Sequence, residues 1–298
     1  MSPPDFVAHG VAAGGEVRVL AAESTVTVNE AQRRHGLLPT ATAALGRLMT
    51  GAALLGAMLK GQESVTVQVV AGGPLGSLVA VAGSDGTVRG YVGNPAVHLP
   101  LNAHHHLDVG GAVGRGDLYV IRDLGLKEPY RGSVPLVSGE IGEDLAYYLA
   151  HSEQVPSAVA LGVLVEVDAS VRAAGGLIVQ VLPGHGEETV ATVEKALKDL
   201  PAISRSIDRG KGPVLLAEER LGSLGLRWLE RRPLRFACPC SRERFEEGLV
   251  ALGREELERL AAEQGEAETV CRFCGTVYRF DATDLRRLIG EATERAPS

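Results

Sequence analysis

The first 237 residues of this 298-residue chain contain no cysteine. Aromatic residues are also scarce, at 4% of the chain, and tryptophan occurs once. A core with so few aromatic side chains must be built mainly from Val, Leu, Ala and Gly. Hydrophobic residues make up 45% of the chain and charged residues 22%, a balance that is typical of a folded protein and excludes a disordered one.

Long apolar runs are missing as well. The most membrane-like stretch, LMTGAALLGAML at 48–59, has twelve residues between Arg47 and Lys60, whereas a membrane-spanning helix needs about 20. The first ten residues, MSPPDFVAHG, have neither the basic start nor the apolar segment of a secretory signal. We therefore expect a cytoplasmic protein that has no membrane partner.

The sequence also lacks the motifs of common enzymes. No G-x-x-x-x-G-K-[ST] phosphate loop occurs, and the glycines at 72–76 are spaced for turns, not for a dinucleotide-binding fingerprint. Acidic residues cluster at 140–144, but acids also favour the start of a helix for electrostatic reasons. We expect no catalytic residues and no enzymatic activity.

Alternating strand and helix patterns run through the first two-thirds of the chain. Three short β-rich runs joined by Gly-containing turns, SVTVQVVAG, GSLVAVAG and GTVRGYVG, predict an antiparallel meander. Residues 27–60 predict two helices interrupted near Pro39, and Thr27 and Glu30 have the spacing of a capping box at the start of the first. These patterns place the protein in the α+β class.

A change of character after Pro183 divides the chain into three parts. We predict an N-terminal domain of mixed sheet and helices at 1–182, a partly helical linker at 183–235 and a small C-terminal domain at 236–298. Two further amphipathic helices are predicted, one over 214–229 and a charged one around 242–264.

The cysteines lie together near the end of the chain, as C-x-C followed 30 residues later by C-x-x-C. Two short turns that each offer two thiolates are typical of a tetrahedral zinc site. Gly275, directly after the last cysteine, permits the tight backbone of a metal knuckle. No histidine follows His185, so a local site must be all-thiolate, and the predicted zinc ligands are Cys238, Cys240, Cys271 and Cys274.

The spacing leaves two functions open. One is a binding module whose zinc-ribbon site is purely structural, and an enzyme with a structural zinc is a further form of that alternative. The other is a redox site, because the Cα atoms of Cys238 and Cys240 lie at most about 7 Å apart, which makes a disulfide between them feasible. Residues 236–298 carry 9 Lys+Arg against 13 Asp+Glu, a net charge of −4 that disfavours nucleic acid as the partner.

Four stretches together resemble the 33 kDa chaperonin, or heat-shock protein 33, family of redox-regulated holdase chaperones. They are LLPTATAALGRLMTGAALLGAMLK, GGPLGSLVAVAGSDGTVRGYVGNP, GEIGEDLAYYLAHSEQVPSAVALGV and the C-x-C…C-x-x-C end, in that order. The resemblance covers nearly the whole chain. It departs locally at NAHHHLD, where three consecutive histidines, His104–His106, are expected in a solvated loop, with metal binding as the alternative.

The resemblance implies a mechanism as well as a fold. In the reduced state the four cysteines would hold one zinc ion and the protein would be inactive. Oxidation would form the disulfides Cys238–Cys240 and Cys271–Cys274, release the metal, unfold the C-terminal domain and destabilise the linker. The exposed apolar surface would then bind unfolded or partially unfolded proteins without ATP, and the activated protein would form a homodimer.

Overall fold

The structure is a computed structural model that describes residues 4–184 and 187–294, and the chain divides into two units, Met1–Ala237 and Cys238–Ser298. The first unit contains the helices α1 (Thr25–His35), α2 (Pro39–Gly56), α3 (Val109–Val113), α4 (Gly142–His151), α5 (Glu187–Leu197), α6 (Ile203–Asp208) and α7 (Pro213–Leu221). Its strands are β1 (Phe6–Ala12), β2 (Val17–Glu23), β3 (Ser64–Ala71), β4 (Leu78–Gly83), β5 (Thr87–Val92), β6 (Gly116–Asp123), β7 (Tyr130–Pro135), β8 (Ser157–Val165), β9 (Val171–Val181), β10 (Arg227–Pro233) and β11 (Arg235–Phe236). This combination of sheets and helices confirms the predicted α+β class.

One sheet of the first unit has five strands in the order β10-β1-β2-β9-β8, with antiparallel neighbours throughout. Strands β2 and β9 are buried along most of their length, because both faces of these inner strands are covered. Strands β8 and β10 form the two edges. The sheet therefore joins the beginning of the chain to residues that follow it by more than 200 positions.

The other sheet has six strands in the order β11-β5-β4-β3-β6-β7. Strands β3, β4 and β5 are joined by antiparallel pairings in sequence order, which confirms the predicted meander. The turn from β4 to β5 contains Gly86 at φ 78°, and a Cβ there would lie 2.1 Å from the Pro233 carbonyl oxygen. Only glycine fits this position without a shift of the backbone.

Helix α2 is the centre of the larger hydrophobic core. All of its residues except Pro39 and Arg47 are buried, which accounts for its apolar composition. Glycines let neighbouring elements approach it closely: a Cβ at Gly51 would lie 2.5 Å from a methyl carbon of Leu145 on α4. Within the described residues, no helix has both the length and the apolar character required to cross a membrane.

A second hydrophobic core lies between the five-stranded sheet and the helices α5, α6 and α7. The helices contribute buried residues such as Val193, Leu216 and Leu221, and the sheet contributes residues such as Val19 and Val179. Residues 187–235 thus pack within the first unit. The division into 1–182, 183–235 and 236–298 stays a prediction.

The second unit contains the helices α8 (Arg242–Val250), α9 (Arg254–Glu263) and α10 (Ala282–Glu294) and the antiparallel hairpin of β12 (Ala267–Val270) and β13 (Val277–Phe280). Its hydrophobic core is small and is centred on Phe280, which is fully buried. The remaining buried members of this core are Leu249, Val250, Leu257, Ala267, Leu285, Leu288 and Ala292.

Three local predictions were wrong. The capping box does not form, because α1 begins at Thr25 and the Asp5 carboxylate accepts hydrogen bonds from the backbone N–H groups of Val26 (3.1 Å) and Thr27 (2.6 Å). A side chain from another part of the chain therefore satisfies the amide groups that a capping box would have satisfied.

The other two errors concern helix length. The helix predicted over 214–229 ends at Leu221, and residues 227–233 instead pair with β1. The helix predicted around 242–264 is two helices, because the chain turns at Gly253, which adopts φ 90°. Leu252, at this turn, is exposed.

Candidate metal centre

The two cysteine pairs lie on separate turns of the second unit. Cys238 and Cys240 occupy the segment that leads into α8, and the hydroxyl of the following residue, Ser241, accepts a hydrogen bond from a backbone N–H in the first turn of that helix. Cys271 and Cys274 lie between the paired strands β12 and β13. A helix start and a hairpin therefore hold the two pairs.

The second pair is held by a tight turn. The carbonyl oxygen of Cys271 accepts hydrogen bonds from the backbone N–H groups of Cys274 (3.3 Å) and Gly275 (2.8 Å). Gly275 adopts φ 71°, in the left-handed region that glycine enters without a Cβ penalty. The predicted knuckle is therefore present.

All four sulfur atoms converge. They lie within 4.8 Å of one another, with separations of 3.7 Å between Cys238 and Cys271 and 3.3 Å between Cys240 and Cys274. Four sulfur ligands around a tetrahedral zinc ion at about 2.3 Å would lie about 3.8 Å apart. The donor set and its spacing thus fit a zinc ion without rearrangement of the chain.

Aromatic and hydroxyl side chains surround the thiols. The Tyr278 hydroxyl donates a hydrogen bond to Cys240 Sγ at 3.2 Å, and its ring packs on Phe245 with centroids 4.8 Å apart. The Thr276 hydroxyl lies 3.2 Å from Cys274 Sγ. Neither hydroxyl contact was predicted. Side chains alternate between the two faces of β13, which places Tyr278 and Phe280 on one face, and this alternation would have indicated the contact of Tyr278.

Burial makes two of the four thiols resist ionisation when they have no cation beside them. It raises the pKa values of the Cys238 and Cys271 thiols. Burial is the largest single influence on Cys274 and opposes its ionisation, but hydrogen bonds with Thr276, Cys240 and Cys271 together outweigh it and lower the pKa of the Cys274 thiol to about 7. A bound cation would favour the thiolate form of all four side chains, which is the form that binds metal.

All four cysteines are free thiols in this structure. Within the described residues, they are the only group of three or more Cys, His, Asp or Glu side chains placed to hold one metal ion. His104–His106 lie on an exposed loop, where the sequence placed them. The structure thus brings the four predicted residues together, and their roles as zinc ligands and redox partners stay predictions.

The first unit and the metal centre together define a class: an α+β protein with a small C-terminal unit built around four thiols. The sequence matches the family described as Hsp33 protein over residues 5–281. The 33 kDa chaperonin of Geobacillus kaustophilus is 49% identical over 285 residues, which cover 95% of this chain and 97% of that protein. The 33 kDa chaperonin of Bacillus subtilis is 48% identical over 290 residues, which cover 97% and 99%.

A solved structure agrees with these relatives. The crystal structure of the 33 kDa chaperonin (heat shock protein 33 homolog) from Thermotoga maritima matches with a TM-score of 0.91 at 40% identity, and the match covers 98% of this chain and 100% of that one. The chain belongs to the Hsp33 family of 33 kDa chaperonins, and the resemblance seen in the sequence is confirmed. Its relatives are named as chaperonins, not as enzymes.

Proposed function

We propose that this chaperone is a holdase that oxidation activates and that works without ATP. In the reduced state, Cys238, Cys240, Cys271 and Cys274 hold one zinc ion and the protein is inactive. Oxidised, the protein binds unfolding proteins and prevents their aggregation. The observation that carries the proposal is the convergence of four free thiols within 4.8 Å inside a unit that has little other core.

The metal ligands are also the groups that an oxidant attacks. A zinc ion held there would cross-link the start of α8 to the β12–β13 hairpin and contribute about 10–16 kcal/mol of apparent binding free energy to folding. A unit of this size rarely gains more than about 3–5 kcal/mol from its own core. Loss of the four thiolates therefore decides whether residues 238–294 stay folded.

The oxidation step forms two disulfides, which we propose are Cys238–Cys240 and Cys271–Cys274. Each bond takes two electrons from two metal-bound thiolates, and one hydrogen peroxide accepts these electrons together with two protons from solvent and becomes two water molecules. The zinc ion, having lost its ligands, passes to solvent. A disulfide needs an S–S distance of about 2.05 Å, so the sulfur atoms must move from their present separations whichever partners they take. The proposed pairing is supported by the family resemblance, not by these separations.

The linker offers a route from the switch to an apolar surface. Strands β10 and β11, which precede Cys238 directly, are edge strands of their two sheets, so they can detach without breaking an inner strand. The helices α5, α6 and α7 cover one face of the five-stranded sheet. Their release would expose apolar sheet residues, among them Val17, Val19, Ala21, Leu177 and Val179, together with the apolar faces of the helices themselves.

Two further properties belong to the same proposal. The activated form is a homodimer, and the protein acts in the cytoplasm, where a reducing environment keeps the four thiols free until oxidative stress. The partners are unfolded or partially unfolded proteins, with no specific nucleic acid. No catalytic residue is assigned.

The test is light scattering from a thermally unfolding client protein, with this protein added either reduced and zinc-loaded or after peroxide treatment. We expect suppression by the oxidised form alone, and loss of that suppression when the protein is reduced and zinc is restored. Equal suppression by both forms would contradict redox control. No suppression by either form, combined with salt-dependent binding of nucleic acid by the reduced form, would favour a zinc-ribbon binding module instead.

A further inference from the structure

A cavity of about 310 Å³ lies in the first unit, far along the chain from the four cysteines. It is lined by the edge strand β8, the start of α6, one side chain of α2 and the loop that carries the three histidines. The volume is at the lower end of the range, about 300–1,000 Å³, that small-molecule sites occupy. The metal centre contributes no residue to this cavity, and α6, one of its walls, is a linker helix that the proposed switch would release.

The polar lining of the cavity is cationic. Arg47, His105, His106 and Arg205 all line it, and no carboxylate does. Arg205 is exposed and has no side-chain hydrogen bond or ion pair within the part of the chain that the structure describes. Two guanidinium groups and two imidazoles around one cavity favour an anionic ligand.

Arg47 is only partly satisfied by its neighbours. Its Nη1 pairs with the carboxylate of Glu140 and donates to the Glu140 carbonyl oxygen at 3.4 Å. Its Nε is buried and has no hydrogen-bond partner among the described residues. Because Glu140 neutralises one guanidinium, Arg205 supplies the positive charge that remains uncompensated, and the imidazole rings add hydrogen-bonding nitrogen atoms.

The backbone is shaped to bring these groups together. A Cβ at Gly162 on β8 would lie 2.6 Å from the backbone nitrogen of Ser204, so glycine allows the start of α6 to approach the edge strand. Apart from Ser204, the remaining walls are apolar and include Leu107, Leu161 and Val163. A cationic end beside apolar walls suits a ligand with an anionic head and an apolar body.

We propose that this cavity binds an organic phosphate, with its phosphate group against Arg205, Arg47 and the two histidines and its body against β8. The planar guanidinium fork matches phosphate oxygens in geometry as well as in charge. The site contains no residue of the cysteine cluster. It is tested in the reduced protein, in which α6 stays packed, so failure of the phosphate site would leave the proposed redox function untouched.

Isothermal titration calorimetry on the reduced, zinc-loaded full-length protein tests this site with phenyl phosphate, inorganic phosphate and benzoate as probes. We expect saturable binding of phenyl phosphate that is tighter than that of inorganic phosphate, and weaker binding of benzoate. Arg205→Gln should weaken phenyl phosphate binding at least about tenfold, because charge-assisted hydrogen bonds are lost. Arg209→Gln is the matched control, since Arg209 is exposed, follows α6 directly and does not line the cavity.

Each outcome decides the proposal. Weaker binding by Arg205→Gln with unchanged binding by Arg209→Gln supports it, provided that both variants melt at the wild-type temperature. The double variant His105→Asn/His106→Asn should also bind more weakly. An absence of saturable binding, equal losses in both arginine variants, or benzoate binding as tight as phenyl phosphate would overturn the assignment.

Discussion

Removing the metal from the reduced protein should unfold the second unit without any oxidation. The unit has eight buried apolar residues in its core. A core of this size rarely supplies more than about 3–5 kcal/mol, whereas a four-thiolate zinc site contributes about 10–16 kcal/mol. A folded domain has a net stability of only about 5–15 kcal/mol, and subtracting the zinc contribution from it leaves little or none, so the metal-free unit should be largely unfolded at equilibrium.

The structure also gives the size of the signal. Helices α8, α9 and α10 have 9, 10 and 13 residues, which is close to a third of the residues in the described α-helices. Anaerobic chelation should therefore remove roughly that share of the helical circular dichroism if the first unit keeps its helices, and re-addition of zinc should restore it.

Hydrogen exchange followed by mass spectrometry locates the change. Amides of β12, β13 and α10 should lose their protection, and amides of β3 and β4 in the first unit serve as the internal control. A metal assay must show that zinc has left. If residues 267–294 stay protected after complete zinc removal, the core stabilises the unit by itself, and the metal cannot be the basis of the switch.

Three other predictions follow from single positions. Cys271→Ser should weaken zinc binding at least about tenfold, as measured by competition with a chromogenic chelator. Arg272→Ser, at the exposed neighbouring position, should bind zinc like the wild type. Equal zinc affinity in the two variants would remove Cys271 from the site. Gly86→Ala should destabilise the first unit by about 1–3 kcal/mol or more in denaturant unfolding, because it combines a positive φ with a 2.1 Å clash. Gly61→Ala, at φ 58° with open space around it, should lower the free energy of unfolding by less. A larger loss of stability in Gly61→Ala than in Gly86→Ala would refute the clash argument. Burial and the nearby Arg18 lower the pKa of His9 below its ordinary value of 6.5, so at pH values below 6.5 the unfolded state binds more protons than the folded state and stability falls as the pH drops. The melting temperature of His9→Gln should therefore differ less between pH 7.5 and pH 5.5 than that of the wild type. An unchanged difference in melting temperature would exclude His9 as the cause.

The metal centre could be predicted from the sequence because each half of it is local. A C-x-C and a C-x-x-C turn each place two thiols within a few residues, and only the meeting of the two turns depends on the fold. The meander of β3, β4 and β5 was predictable for the same reason, since its strands pair with their neighbours in the chain.

The errors lie where a distant partner decides the local structure. Asp5 caps α1 from outside the helix, and no pattern within 24–35 reveals that contact. Trp228 and its neighbours lie in a strand because β1 is available to pair with them, although their sequence permits a helix. The cationic cavity likewise combines residues 47, 105, 106 and 205, which no spacing in the sequence connects.

The linker owes its proposed role to this dependence on distant contacts. Helices α5, α6 and α7 have 11, 6 and 9 residues, and isolated helices shorter than about 12–15 residues are marginal in water. Their helical state is therefore maintained by packing on the five-stranded sheet. If oxidation detaches them from that sheet, they lose their helical structure as well, and refolding must recover both together. The apolar face of the sheet would thus be uncovered in a single cooperative transition, which is the behaviour that a switch between an inactive and a client-binding state requires.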